Sequence, residues 1–478
     1  MEKTKEIQSA TPPLSLEGAK AVYFIGIGGI GMSALARYFQ AKGIAVSGYD
    51  KTTTDLTKEL EGAGIEIHYS EDVSKIPKDA DIIVYTPAVP QTHAELVYYK
   101  EHNYTVVKRS DVLESITKNS FNVCIAGTHG KTTTATMTGH LLRHSGYGCT
   151  VFLGGISVNY GTNFWSSDNN TVVVEADEYD RSFLKLSPDI AVITSMDADH
   201  LDIYGDEKTM QDAFVDFGNK VKDSGLLISK FGLKRTKDIR GKKISYSLGN
   251  ESANVFAFDI KIENGGYKYN VQLSGKAIYD VELRIGGMHN IENSVAAIAV
   301  ADALEIDEEK IREAMKDFKG VKRRFEYIIA PQNGEEGGYI QPVFIDDYAH
   351  HPEELKALLT STRSLFPQRK ITVLFQPHLY TRTRDLADGF ASSLSIADKA
   401  VLLPIYPARE MPIEGITSDL IKAKMDRDET EIIKKEELVL WMKNYSGLIN
   451  KDFGEVIITA GAGDIDSLVE PLKAAILN

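Results

Sequence analysis

Two cysteines in 478 residues, Cys124 and Cys149, are too few for a disulfide framework. Cys124 falls in an apolar run where a free thiol acts as a small hydrophobe, so a reducing compartment is expected. Long hydrophobic runs are missing as well. Nothing approaches the stretch of about 18 apolar residues needed to span a bilayer. The opening MEKTKEIQSATPPLSLEG also lacks the run of about 7 to 15 apolar residues found in secretory signals. The expectation is a cytoplasmic protein with a polar leader over residues 1–18, kept irregular by Pro12 and Pro13. Positive charge is in deficit too: 54 Lys and Arg stand against 68 Asp and Glu, a net charge of −14. That argues against nonspecific nucleic-acid or anionic-membrane binding as the main task, because both need basic surface. Phosphate ligands stay open, since local amides, a lysine and a metal ion hold them. Internal repeats and low-complexity tracts are also lacking.

What the chain does have is a steady alternation of short β-branched runs, polar or glycine turns, and helical periods. AVYFIG leads into GMSALARYFQAKG, DIIVYTPAV leads to HAELVYYKEHN, and NVCIAG leads into KTTTATMTGHLLRHSG. TVVVEA, IAVITSM, GLLISK, PVFIDDY, ITVLFQ, AVLLPIY and EVIITAGAGD continue the series. Strands alternating with helices imply an α/β fold with mostly parallel sheets covered on both faces. At this length two to four domains are expected. Three blocks suggest themselves: 1–118 with a first glycine turn, 119–325 with a second, and 326–478 after the glycine-rich APQNGEEGGY. The middle block carries an apparent β-rich insertion, VFAFDIKIE and YKYNVQL.

The first turn, FIGIGGIGMSAL, satisfies G-x-G-x-x-G through Gly26, Gly28 and Gly31, and Asp50 follows nineteen residues later at the end of the next strand. Glycines there let backbone amides approach a diphosphate at a helix N-terminus, and Asp50 is placed to accept from a ribose hydroxyl. The motif says diphosphate of a nucleotide; it leaves NAD and a UDP-sugar both open. The second turn, GTHGKTTT, is a phosphate loop two residues shorter than the usual G-x-x-x-x-G-K-[ST]. Amides from Thr128 to Thr132 would line an anion nest, Lys131 would reach terminal phosphates, and Thr132 would offer its hydroxyl to Mg²⁺. A hard cation needs more oxygen ligands. Two acidic clusters at strand ends supply them: Glu175, Asp177 and Glu178, then Asp197, Asp199, His200 and Asp202.

Together GTHGKTTT, EADE, DADHLD, GMHNIENSVAAIA, GVKRRFE, DDYAHHP and GAGD resemble the Mur ligases of peptidoglycan synthesis, over about residues 20 to 470. FIGIGGIGMSALAR and FQPHLYTRTRD bring the chain nearest the branch that joins L-alanine to UDP-N-acetylmuramate. The resemblance implies three domains: a Rossmann-like one for the UDP-sugar, a central P-loop-type ATPase with a parallel sheet, and a Rossmann-like C-terminal one for the amino acid. It implies that ATP phosphorylates the sugar's carboxylate and that the amine attacks the acyl phosphate, with Mg²⁺, or Mn²⁺ in its place, as cofactor. The implied partners are UDP-N-acetylmuramate, L-alanine and ATP, with no nucleic acid and no membrane, in a monomer or weak homodimer serving cell-wall synthesis.

Carried over residue by residue, the resemblance gives the UDP-sugar Gly26, Gly28, Gly29, Gly31, Met32 and Asp50. ATP receives Gly127, Thr128, His129, Gly130, Lys131, Thr132, Thr133, Asn290, Asn293, Arg324 and Asp347. The metal receives Thr132, Glu175 and His200. The amino acid receives Tyr348, His350, His351, His378 and Arg382, and catalysis centres on Lys131, His200 and Arg382. Asn290 also reads as a helix N-cap, and the HH pair as zinc ligands lacking a third partner nearby. Two departures stand out. Leu379 occupies a position where the family often has arginine. Phe214, fourteen residues after His200, replaces the lysine that sister ligases carbamylate to hold a second magnesium. Competing readings are a ligase recycling murein tripeptide onto the same sugar nucleotide, an NAD-dependent oxidoreductase, and a non-catalytic nucleotide-binding regulator.

Overall fold

β-branched runs become strands and the glycine turns become their exits. The computed structural model describes residues 14–197, 201–332, 341–408, 410–425, 430–446 and 454–477. Asp199, His200 and most of the leader lie outside the described residues. The chain divides into two compact units. One comprises residues up to 131 with 146–154 and 163–244, and the other comprises 132–145, 155–162 and 245 onward.

The first unit opens with β1 (Ala21–Ile25), α1 (Ile30–Ala41), β2 (Ala45–Tyr49), α2 (Asp55–Gly62), β3 (Glu66–His68), β4 (Ile82–Tyr85), α3 (Ala94–Glu101), β5 (Thr105–Lys108) and α4 (Arg109–Thr117). The strands pair in parallel in the order β3-β2-β1-β4-β5, so the chain reverses its winding at β1. Alternate residues explain the double cover. Val22 and Phe24 pack with Leu35 and Phe39 on one face, while Tyr23 and Ile25 pack with Leu96 and Tyr99 on the other. Ligands of such sheets sit at the strand C-termini beside the switch point.

The chain continues through β6 (Phe121–Ala126), α5 (Lys131–His144), β7 (Thr150–Ser157), β8 (Thr162–Trp165), β9 (Thr171–Glu175), β10 (Ile190–Ile193), α6 (Leu201–Tyr204), α7 (Glu207–Gly218) and β11 (Leu226–Lys230). Neighbours run β11-β10-β6-β9-β7-β8, with β11 through β7 parallel where they pair. Cys124, Val174 and Ile193 of these strands join the apolar core with Phe183, Phe214 and Phe217. Phe214 is fully buried and meets the Phe183 ring edge-on at 5.4 Å. The position that holds lysine in sister ligases is therefore core. Cys124 is wholly buried, and burial pushes its thiol up, which makes it inert.

In the second unit the end of β12 (Lys242–Ser247) leads into β13 (Val255–Glu263), β14 (Gly266–Gln272) and β15 (Ala277–Leu283). The last three form an antiparallel meander, as the alternating VFAFDIKIE and YKYNVQL predict. Then follow α8 (Met288–Ala303), α9 (Glu308–Asp317), β16 (Glu326–Ile329), β17 (Val343–Asp347), α10 (Pro352–Leu365), β18 (Lys370–Phe375), α11 (Tyr380–Leu394), β19 (Lys399–Leu402), α12 (Asp419–Lys422), β20 (Thr430–Ile432), α13 (Leu438–Ser446), β21 (Glu455–Ala460) and α14 (Val469–Leu477). The sheet order is β16-β17-β21-β18-β19-β20, parallel except for the antiparallel edge strand β16. No described helix is long and apolar enough to cross a membrane.

Candidate active site

In the first unit, β6 ends at Ala126 and the chain turns at Gly127, whose φ of +138° favours glycine. A Cβ there would lie 2.1 Å from Thr194 Oγ1 and 2.8 Å from the Ser195 amide nitrogen. Those two residues, just past β10, staple the loop. Thr194 Oγ1 donates to the carbonyl of His129 at 2.5 Å, and Ser195 Oγ accepts from the His129 amide at 2.7 Å. Ser195 Oγ also shares a 2.8 Å hydrogen bond with Thr128 Oγ1. The result is an arch of main-chain amides held in shape before a helix start, a form suited to anions.

Lys131 opens α5, where the helix dipole disfavours a cation. Its ammonium donates to the Gly127 carbonyl at 2.6 Å and to Glu178 Oε1 at 2.7 Å. Glu178 is buried, and burial pushes its carboxyl up while Lys131 pulls it back. The Tyr204 hydroxyl donates to the Glu178 carbonyl at 2.5 Å and fixes that turn. The sequence offers Glu178 as one of a cluster of candidate oxygen ligands for a cation; in the structure it answers the lysine's charge.

The first glycine turn and Lys131 of the second line one cavity of about 380 Å³, whose walls include Gly29, Gly31, Arg109, Gly154 and Glu175. Met32 lines it as well, although its side chain is otherwise in the α1 core. Glu175, the last residue of β9, accepts the Gly154 amide at 2.8 Å. Gly26 takes φ +87° and donates to the Tyr49 carbonyl at 2.8 Å, which bends the first turn back over β2. Asp50 Oδ2 accepts the Gly28 amide at 2.8 Å and Oδ1 accepts the Thr52 amide at 3.2 Å. The carboxylate expected at a ribose thus holds the glycine turn itself.

The second unit carries the other predicted nucleotide residues. Arg324 Nη2 reaches Thr132 Oγ1 at 3.5 Å, and Thr133 beside it is buried. Asn290 Nδ2 donates to the Gly286 carbonyl at 2.6 Å, and Asn293 Nδ2 donates to Asn290 Oδ1 at 3.2 Å. Gly287 with φ +93° takes the N-cap of α8, so capping does not explain Asn290. Burial, helped by the Arg324 charge, lowers the pKa of His289 in the same turn.

Asp347 Oδ2 accepts the Phe325 amide and Oδ1 the Ala349 amide, both at 2.7 Å. The residue is half-buried, but its carboxyl is sunk among protein atoms, and burial pushes it up to about 6. It holds the backbone that carries Arg324. A raised folded-state pKa fixes the sign of its pH effect. The stability due to the neutral carboxyl is complete below the ordinary value of 3.8 and is lost as pH rises through about 6. Urea titrations at pH 5 and pH 8 should therefore show the wild type losing about 1 kcal/mol relative to Asp347→Asn. Parallel pH dependence in the two proteins would show that this carboxyl ionises freely.

Among the amino-acid candidates, Tyr348 is exposed and its carbonyl is bonded by His350 Nδ1 at 3.0 Å, which leaves Nε2 of that ring as the basic nitrogen. The rings of His350 and His378 lie 6.1 Å apart, and His378 stacks on Tyr406 at 5.7 Å. Burial, with Arg382 adding its charge, lowers both histidine pKa values, so both are neutral near pH 7. One terminal nitrogen of Arg382 is buried with no hydrogen-bond partner among the described residues. Leu379 adopts φ +69° and is held by the Tyr406 carbonyl at 2.9 Å. His351 instead takes the N-cap position of α10, where Glu354 accepts its amide and that of His350. Arg384 turns to Asp385.

Of the predicted magnesium ligands, Glu175 and Thr132 are described and offer the oxygen donors a hard cation prefers, while His200 lies outside the described residues. Among the described residues no group of three or more His, Cys, Asp or Glu side chains is arranged as a metal cluster.

A doubly wound sheet, a short phosphate loop with a caged lysine and a third parallel sheet define a nucleotide-dependent group-transfer protein of the α/β class. Family models carry this further. The Mur ligase family catalytic domain matches residues 21–121, the Mur ligase middle domain 125–301, and the Mur ligase glutamate ligase domain 323–463. The chain belongs to the Mur ligase family. It is 44% identical to a UDP-N-acetylmuramate–L-alanine ligase of Flavobacterium johnsoniae, covering 96% of this chain and 98% of that one. A protein of the same description from Parabacteroides distasonis is 45% identical, with 96% and 98% covered. Among solved structures, a UDP-N-acetylmuramate–alanine ligase from Thermotoga maritima matches with TM-score 0.78 and 28% identity over 95% of this chain and 98% of that one. A murein peptide ligase from Psychrobacter arcticus shares the fold, with TM-score 0.66 and 20% identity over 96% and 99%.

Proposed function

We propose that this chain joins L-alanine to the lactyl carboxylate of UDP-N-acetylmuramate while ATP becomes ADP and phosphate, a step of peptidoglycan precursor synthesis. The observation that carries the reading is one cavity whose wall holds the first glycine turn together with Lys131 and Glu175. A sugar nucleotide seated on the first turn then presents its carboxylate to the phosphate held by the second. A carboxylate is a poor electrophile, and its conversion to an acyl phosphate supplies a leaving group.

In this reading Lys131 exchanges Glu178 for the β- and γ-phosphates, and the amides from Thr128 to Thr132 stabilise charge as the phosphoryl group moves. Mg²⁺ would be held by Thr132, Glu175 and His200, and would neutralise phosphate charge. Asn290 and Asn293 are assigned to the adenine, and Arg324 and Asp347 to ATP as well. Arg382, with an unanswered guanidinium nitrogen, suits the free carboxylate of alanine. The neutral imidazoles of His350 and His378 beside it can take the proton released as the amine attacks.

A phosphate-release assay with UDP-N-acetylmuramate, ATP and Mg²⁺ tests the assignment across L-alanine, glycine, L-serine and murein tripeptide. Turnover is expected with L-alanine and not with tripeptide. Robust turnover with tripeptide and none with L-alanine would assign the recycling reaction instead.

A further inference from the structure

Arg109, the first residue of α4, has no part in any reading above, yet its side chain lies in the cavity wall beside the first glycine turn. Its position explains a glycine. A Cβ on Gly31 would lie 2.5 Å from Arg109 Nη1 and 3.2 Å from its Cδ and Cζ. The third glycine of such a turn ordinarily permits close helix–strand packing. Here it lets a guanidinium lie over the first turn of α1, on the side where a phosphate would approach the amides.

The charges around the cavity sort in the same sense. Lys131 is answered by Glu178, whose side chain is 1% exposed. Arg109 is answered by Asp177, through one contact of 3.2 Å to a side chain 42% exposed. An ion pair that open to water is weakly held. The guanidinium fork can therefore leave Asp177 for an anion that accepts two parallel hydrogen bonds, as a phosphate does.

We propose that Arg109 grips the diphosphate of the sugar nucleotide, with Gly31 kept free of a side chain to admit it and Asp177 answering its charge until the diphosphate takes that place. This inference rests on the first glycine turn being the sugar-nucleotide site, and its test separates the two. Isothermal titration with UDP-N-acetylmuramate and with UDP uses ligands that share the diphosphate, of which only the first has a carboxylate. Arg109→Gln should weaken both by a similar factor, about tenfold or more. Arg109→Lys should restore part of the loss, and the KM for ATP should stay within about twofold, since the lost bond belongs to the other substrate. Asp177→Asn should leave both affinities unchanged or tighter.

Weakening of UDP-N-acetylmuramate alone would place the guanidinium on the carboxylate and overturn the proposal. A loss with Asp177→Asn equal to that of Arg109→Gln would also overturn it, by making the pair structural. If Arg109→Gln fails to fold, Arg109→Lys carries the same comparison. A wild type that binds ATP but neither uridine nucleotide would remove the site reading itself, and the proposal with it.

Discussion

Lys131→Ala should lose about a thousandfold or more in kcat while remaining folded. The expectation follows from where the ammonium sits. It is held at the mouth of the Gly127 arch between a main-chain carbonyl and Glu178, the place from which it can reach a terminal phosphate. Among the described residues the only other lysine or arginine lining the cavity is Arg109, which opens α4 and lies beside the first turn. The substitution also strips a buried carboxylate of its ammonium, and burial then pushes the Glu178 carboxyl up with no lysine to pull it back. A stability loss of about 3 kcal/mol is expected on that account. Phosphate release and a urea titration on the same preparation separate the two effects. Wild-type turnover in this variant would remove the phosphate-site reading.

Gly154→Ala should lower kcat by about a hundredfold with little change in melting temperature. Gly154 has no unusual φ, so its backbone tolerates alanine; what it cannot tolerate is the methyl group. A Cβ there would lie 2.6 Å and 2.7 Å from the two carboxylate oxygens of Glu175. Glu175 must swing away, and with it goes the oxygen donor expected to hold Mg²⁺. The variant should therefore need a higher Mg²⁺ concentration for half-maximal rate. An unchanged rate and an unchanged Mg²⁺ requirement would show that the carboxylate can shift without consequence, and would count against Glu175 as a metal ligand.

How much of this was legible in the sequence depends on whether the information is local. The Lys131 arch was, because its glycines, lysine and threonine lie together between an apolar run and a helical period. The antiparallel meander was, because VFAFDIKIE alternates with period two. β7 was not: Gly154 and Gly155 interrupt its apolar run. Their reason is tertiary, since a side chain at Gly154 would strike Glu175, and one at Gly155 would strike Val321 and Thr132. Arg109 was missed for the same reason. It stands in an ordinary KRSDVLESI stretch, and only the fold lays it over Gly31. Glu178 was visible as a charge but not as a partner, and Thr194 and Ser195 carried no motif although they shape the arch. Asn290 invited a capping reading that failed because Gly287 supplies the cap. The compact units are also discontinuous in sequence, cutting through β7 and at the start of α5, whereas composition shifts mark only contiguous boundaries.

The central claim is that ATP activates the sugar's own carboxylate, in the cavity walled by the first glycine turn and Lys131. Transfer of oxygen tests it most directly. UDP-N-acetylmuramate labelled with ¹⁸O in the lactyl carboxylate is incubated with ATP, Mg²⁺ and L-alanine, and the phosphate released is analysed by mass. Each phosphate should carry one labelled oxygen for every amide bond formed, because the carboxylate oxygen that attacks the γ-phosphorus leaves with it. Unlabelled phosphate accompanying amide formation would contradict the account.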